Sequence, residues 1–315
     1  RSPSEHSPSE HSPSEHRPSA AAGSERCAGA TCGPNRSVAV LLTIDVGNTQ
    51  TMVGLYREAV PVGGDGSPGL PSSGADDSDL VDHWRISTEA DRTSDELAMV
   101  LRQLLESAED HLDADVELHG IAISSGVPFV TAELRQMCEH RFGIEPVVVG
   151  PGVKTGLPIR YDNPTEVGAD RVANAVGALD RYGGPTVVVD FGTATTFDVI
   201  SADGAYLGGA IIPGVEISLN ALFGRAAGLR RVELVPPRSV VGRTTVESIQ
   251  SGVLYGTAAM VDGMTQRIVQ ELGGTATIVA TGGLADVIAP HANTLDHLDP
   301  WITLHGLRLI WEKNQ

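Results

Sequence analysis

Residues 37–57 read SVAVLLTIDVGNTQTMVGLYR, and residues 185–200 read PTVVVDFGTATTFDVI. Both stretches share one design. An apolar, β-branched run ends in Asp, turns on Gly with hydroxyl or amide neighbours, and leads away as a second apolar run. A short apolar run bounded by a glycine turn reads as a buried strand opening a hairpin. Asp45 and Asp190 hold the same place in the two copies and lie 145 positions apart, which is one domain length. The recurrence predicts two related α/β halves, each starting with a hairpin.

Working outward, HWRIS reads as a short strand. Thr93 and Glu96 then form a capping box ahead of a helix whose apolar face carries Leu97, Val100, Leu101, Leu104, Leu105 and Ala108. HGIAISS is a strand, Pro128 starts a second helix, and PVVV is a further strand. Asn163-Pro164 gives an N-cap and first-turn signal for a helix over residues 164–182. In the second half, Thr244 and Glu247 mark a helix start, and IVATGG is a late strand ending on a glycine turn. Strands alternating with helical periods imply mixed sheets covered by helices. The expected division is a low-complexity tail over residues 1–37, carrying SPSEH three times, then halves at 38–184 and 185–315. An acidic Gly/Ser/Pro loop is expected at 58–80.

Composition limits the function classes. The 315 residues carry 22 Lys and Arg against 40 Asp and Glu, a formal net charge of −18. That balance argues against a nucleic-acid partner bound on a basic face and against anionic membranes. No apolar run approaches the roughly 18 residues of a membrane span, and no signal-peptide core precedes the first strand, so a cytoplasmic setting is expected. Cys27 and Cys32 fall in the tail and Cys138 stands alone, which gives neither a disulfide framework nor a zinc cluster.

The two turns carry the chemistry. Glycine lets backbone N–H groups converge on phosphate oxygens, Thr hydroxyls add donors, and a strand-end carboxylate can hold a hydrated Mg²⁺. Taken singly, Asp-x-Gly-Asn is also an ordinary tight turn. Two copies on matching strands point to phosphates held between two domains, as phosphoryl transfer requires. No Walker-type sequence occurs, and the only lysines are Lys154 and Lys313.

The set DVGNT (45–49), YDNPTEVGADR (161–171), DFGTATTFD (190–198), GGAIIPG (208–214) and GRTTVESIQSG (242–252) resembles the type III pantothenate kinases. The resemblance runs over roughly residues 39–315. It implies a fold of the actin / sugar kinase / Hsp70 superfamily: two ribonuclease-H-like domains with mixed sheets and flanking helices, and an active site in the cleft between them. The implied reaction is ATP-dependent phosphorylation of pantothenate, with Mg²⁺ and a monovalent cation, K⁺ or NH₄⁺, by a homodimer whose pantothenate pocket is completed at the interface.

Carried over residue by residue, the resemblance places ATP against Asp45, Val46, Gly47, Asn48, Thr49, Gln50, Thr51 and Met52, with Thr193 as a second contact. It makes Asp190 the monovalent-cation ligand. It assigns pantothenate to Tyr161, Gly168, Ala169, Asp170, Arg171 and Thr245, with Asp170 as proton acceptor. Each residue also has a plainer reading. Asp170 complements a helix dipole or pairs with Arg171, and Arg171 is a surface ion-pair residue. Tyr161 is a packing aromatic, Thr245 is a first-turn residue, and Asp190 is a second magnesium ligand. A non-catalytic accessory protein or an actin-like ATPase would use the same fold.

Overall fold

The computed structural model describes residues 37–57, 77–226 and 229–315. The low-complexity tail and residues 58–76 of the acidic loop lie outside them.

Two five-stranded mixed sheets form the frame. The first is built from β1 (Ser37–Val46), β2 (Gln50–Arg57), β3 (Leu80–Ser87), β4 (Asp115–Ser125) and β5 (Val147–Val148), in the order β3-β2-β1-β4-β5. The second is built from β6 (Thr186–Phe191), β7 (Ala194–Ile200), β8 (Tyr206–Pro213), β9 (Thr277–Thr281) and β10 (His297–Leu298), in the order β10-β9-β6-β7-β8. Strand for strand the two have the same topology. The opening strand pairs antiparallel with its hairpin partner and parallel with a later strand. The repeat read from the two Asp-Gly turns is therefore a repeat of whole sheets.

Helices stack these sheets into five layers. The outer helices of the first half, α1 (Ser94–Leu112) and α2 (Pro128–Met137), cover the face carrying Val40, Leu42 and Ile44. The Thr93 capping box and the Pro128 first turn start them as expected. Two helices fill the layer between the sheets: α3 (Ala169–Tyr182) and, after α4 (Val215–Arg225), α5 (Thr245–Glu271) and α6 (Ala285–Ile288), the last helix α7 (Ile302–Glu312). The outer layer of the second half is α5, whose Leu254, Ala258 and Val261 meet Val187 and Val189. The intervening Val188 faces the middle layer, as the two-residue period of a strand requires.

The middle layer exchanges its helices between halves. The early helix α3 packs against β6 and β7 of the second sheet, and the final helix α7 packs against β1, β2 and β4 of the first. The two cross where Gly177 meets Gly306. A Cβ on Gly306 would sit 1.9 Å from the Ala173 carbonyl oxygen, and one on Gly177 would sit 2.4 Å from that of Ile302. Only glycine fits on either side of this crossing.

One element starts later than its sequence signal. Pro164–Glu166 is a single 3₁₀ turn, and α3 begins at Ala169 rather than at Asn163-Pro164. The backbone at Val167 (φ −76°, ψ 121°) and Gly168 (φ −57°, ψ 144°) is extended, which interrupts the helix and makes Gly168 its cap. Asp170 thus lies in the first turn of the helix rather than its second.

Gly306→Ala should lower stability by about 3 kcal/mol or more, since backbone has to move to admit the methyl. Gly256→Ala, in the middle of α5 with nothing within 4 Å of the added Cβ, should instead raise it by about 0.5–1 kcal/mol. Denaturant midpoints of the two variants against wild type check both signs.

Candidate active site

Asp45 and Asp190 are the penultimate residues of β1 and β6, and the turns that follow face each other across a cleft of about 360 Å³. The Thr49 and Thr193 hydroxyls, one from each turn, lie 3.3 Å apart. The first turn is closed by the Gly47 amide donating to the Gln50 carbonyl at 3.0 Å. In the second, the Gly192 amide donates to the Ala194 carbonyl at 3.1 Å. Asp170, from the start of α3, enters the same cleft, so carboxylates from both halves and from the middle layer converge there.

Parallel neighbours support the two strand-end aspartates. Asp45 registers with Ser124 on β4, whose hydroxyl donates a very short hydrogen bond to it. Asp190 registers with Thr281 on β9, the equivalent place in the second sheet. That threonine is 1% exposed, yet its hydroxyl has no partner. Asp190 is held from the other side by a relay through the middle layer. The Thr303 hydroxyl of α7 donates to Asn174 of α3 at 2.6 Å, and the Asn174 amide donates to Asp190 at 3.1 Å. Gly282, with φ +93°, follows Thr281; a Cβ there would fall 2.4 Å from the Asp190 carboxylate.

This arrangement is electrostatically costly without a cation. Burial at the cleft floor pushes the Asp45 and Asp190 carboxyls each up to about 7. The charge of Asp170 raises both further, against the hydrogen bonds from Ser124 and Asn174. The donor set is all oxygen, and among the described residues no group of three His, Cys, Asp or Glu side chains forms a self-sufficient metal site. One or two carboxylates completed by phosphate oxygens and water is how Mg²⁺ is usually held, and Asp45 and Asp190 fit that pattern. The unpartnered Thr281 hydroxyl beside Asp190 is a further oxygen suited to a monovalent cation.

The expected site residues fall into three groups. Asp45, Gly47, Asn48, Thr49, Gln50, Met52, Asp170, Asp190 and Thr193 line the cleft. Val46 and Thr51 point inward instead: Val46 is core, and the Thr51 hydroxyl bonds that of Thr88 at 2.8 Å. Tyr161, Gly168, Ala169, Arg171 and Thr245 do not line it. Tyr161 stands beside Gly208 and is 37% exposed, while Thr245 is the exposed first residue of α5. Arg171 is only 8% exposed, so it is no surface ion-pair residue. Its Nε donates to the fully buried Asp198 at 2.7 Å, and its guanidinium lies 5.8 Å from the Tyr206 ring centroid. Asp198 on β7 already balances its charge.

Several further residues line the cleft without being singled out by the sequence motifs, Arg85, Glu216, Asn220, Gly282 and Gly283, while Ser124 supports Asp45 and Asn174 supports Asp190. Ser124 and Thr281 lie at the ends of matching strands, HGIAISS and TIVAT, and a comparison of the two halves finds them. Asn174 was signalled as a polar residue in a helix otherwise lined with Ala and Val.

The sequence profile of the type III pantothenate kinases matches residues 41–267. The chain belongs to that family. It is 49% identical over 286 residues to a type III pantothenate kinase of Streptomyces avermitilis, spanning 87% of this chain and 98% of that one. The type III pantothenate kinase of Moorella thermoacetica is 46% identical over 275 residues, spanning 87% and 100%. Among solved structures, a Campylobacter jejuni protein described as a Baf family transcriptional activator shares the fold, at 17% identity and a TM-score of 0.50 over 87% of this chain and 98% of that one. As a member of the type III pantothenate kinase family, the chain is a kinase that transfers phosphate to an alcohol acceptor, which favours this reading over an accessory protein or an actin-like ATPase. No helix among its described residues is long and apolar enough to cross a membrane.

The raised carboxyls set a pH dependence of stability. Folded Asp190 binds its proton up to about pH 7, whereas an unfolded Asp releases it near 3.9. Between those values the folded state holds the extra proton, so wild-type stability falls as pH rises through the window. Asp190→Asn removes this penalty. In metal-free buffer it should match wild type near pH 4 and exceed it above pH 7, by up to about 4 kcal/mol. Thermal melts at both pH values test the sign.

Proposed function

We propose that this protein phosphorylates the primary hydroxyl of pantothenate with ATP, giving 4′-phosphopantothenate, the entry to coenzyme A synthesis, as a cytoplasmic homodimer. The observation that carries the reading is the convergence of Asp45, Asp170 and Asp190 on one cleft whose rims are two Asp-Gly-Thr turns.

In this reading the turn over Asp45–Met52 and the hydroxyl of Thr193 cradle the phosphates of ATP. Asp45 and Asp190 would hold Mg²⁺, and Asp190, with the Thr281 hydroxyl, would take K⁺ or NH₄⁺; when bound, the cations would spread the charge that develops on the transferred phosphoryl group. Asp170 accepts the proton of the attacking hydroxyl as the new P–O bond forms. Its carboxylate is fixed by the Arg171 backbone amide, which donates to it at 2.9 Å, and by the start of α3, where the helix dipole favours negative charge. A carboxylate is a weak base for a free alcohol, but it takes the proton late, when the hydroxyl has become acidic.

Pantothenate is assigned to the neighbouring segment of Tyr161, Gly168, Ala169 and Arg171. Arg171, anchored by Asp198, offers its remaining N–H groups there. Close to Thr245 along the chain, Val240, Val241 and Val246 are 66%, 78% and 49% exposed. Such a cluster of exposed apolar side chains suits contact with a second copy that completes the pocket.

Asp170→Asn should lower kcat by about two orders of magnitude or more while leaving the ATP dissociation constant near wild type. A variant that keeps most of its turnover would reduce Asp170 to positioning the hydroxyl. Wild-type turnover, measured with ATP, Mg²⁺ and pantothenate, should be low in Na⁺ buffer and rise on adding K⁺ or NH₄⁺. Equal rates in Na⁺ and K⁺ would remove the monovalent cation from the site.

A further inference from the structure

Among the described residues, four carboxylates line the cleft, Asp45, Asp170, Asp190 and Glu216, and one basic side chain does, Arg85. Both lysines lie elsewhere: neither Lys154 nor Lys313 contributes to the lining. Arg85 sits on β3, directly across from Met52 of the first phosphate turn's hairpin. From there it reaches the second half. A Cβ added to Gly283, in the turn after β9, would lie 3.2 Å from Arg85 Nη1, and that same position is 3.7 Å from Gln50 Oε1.

Among the described residues the guanidinium is unspent: its one polar contact is Nη2 to the Met52 sulfur at 3.8 Å, a weak acceptor. The other arginines that reach inward are neutralised, Arg171 by Asp198 and Arg181 by Asp299 and Asp77, whereas Arg85 has no ion pair among the described residues. A planar fork of N–H donors matches phosphate oxygens bidentately, and it keeps its charge at any working pH. With Gly282 and Gly283 carrying no side chains, the space between the fork and the Asp190 turn stays open for a ligand.

We propose that Arg85 is the protein's phosphate clamp: it binds the polyphosphate of the nucleotide from the first-sheet side, opposite Thr193, and supplies the positive charge that a lysine supplies in Walker-type sites. This rests on the reading of the cleft as the nucleotide site. As β3 and the turn at Gly283 belong to different sheets, a phosphate held there also ties the two halves together around the substrate.

The test is titration of Mg·ATP, Mg·ADP and adenosine into wild type, Arg85→Met and Arg85→Lys, beside steady-state kinetics with pantothenate. Arg85→Met should weaken Mg·ATP and Mg·ADP by about ten- to a hundred-fold, the range for a charge-assisted hydrogen bond. Adenosine affinity and the KM for pantothenate should stay within twofold, and Arg85→Lys should recover part of the loss. Arg85 is exposed, so its variants should melt with wild type. Unchanged Mg·ATP affinity in Arg85→Met would overturn the assignment, as would an equal loss for adenosine. A wild-type protein that turns over normally beside such a variant isolates the failure to Arg85, while a wild type without turnover rejects the nucleotide site itself.

Discussion

The contact on which everything else depends is the crossing of α3 and α7 at Gly177 and Gly306. Neither helix belongs wholly to one half. The first packs on the second sheet and the second on the first, so their separation fixes the separation of the sheets. The same crossing carries the polar relay from Thr303 through Asn174 to Asp190. An error of a few tenths of an ångström between these helices would be delivered to the Asp190 carboxylate at the cleft. Buried polar chains of this kind are fully committed: losing one member leaves the others unpaired in a dry interior.

That rigidity is what allows the cleft to be charged against its own interest. Three carboxylates are held close together, two of them raised to about 7 by burial and by their neighbour. The fold tolerates this because the middle layer and the two sheets over-determine where the side chains stand. Phosphoryl transfer needs sites for cations more than it needs new covalent chemistry, and an empty arrangement that repels itself is one that gains most when a cation arrives. Strain at such a site is a usual companion of function.

Much of this was legible in the chain because its evidence is local. The Asp45 and Asp190 turns each follow an apolar strand, and the Thr93 box and Thr244 cap lie within four residues of what they cap. The family motifs brought Asp170 into the argument. What stayed hidden is non-local. Nothing near residue 171 announces Asp198, nothing near residue 190 announces Asn174 or Thr303, and Arg85 reads as one more exposed residue of an edge strand. The start of α3 was misplaced because Asn163-Pro164 is a sound local signal that the extended backbone at Val167 and Gly168 overrides.

The exchange of middle-layer helices also constrains how the molecule is made. When the ribosome has released β4, the strands β1, β2 and β4 are all present, but the face carrying Leu41 and Tyr56 still awaits Leu304 from α7. That cover follows β4 only after the whole second sheet has been made. The first half therefore cannot finish folding before the second is synthesised, unlike domains that fold one by one. Its final closure is a long-range event joining β1 and β2 to α7, the kind of contact that slows folding. A chain lacking α7 would leave that apolar face bare and become a substrate for chaperones or proteases.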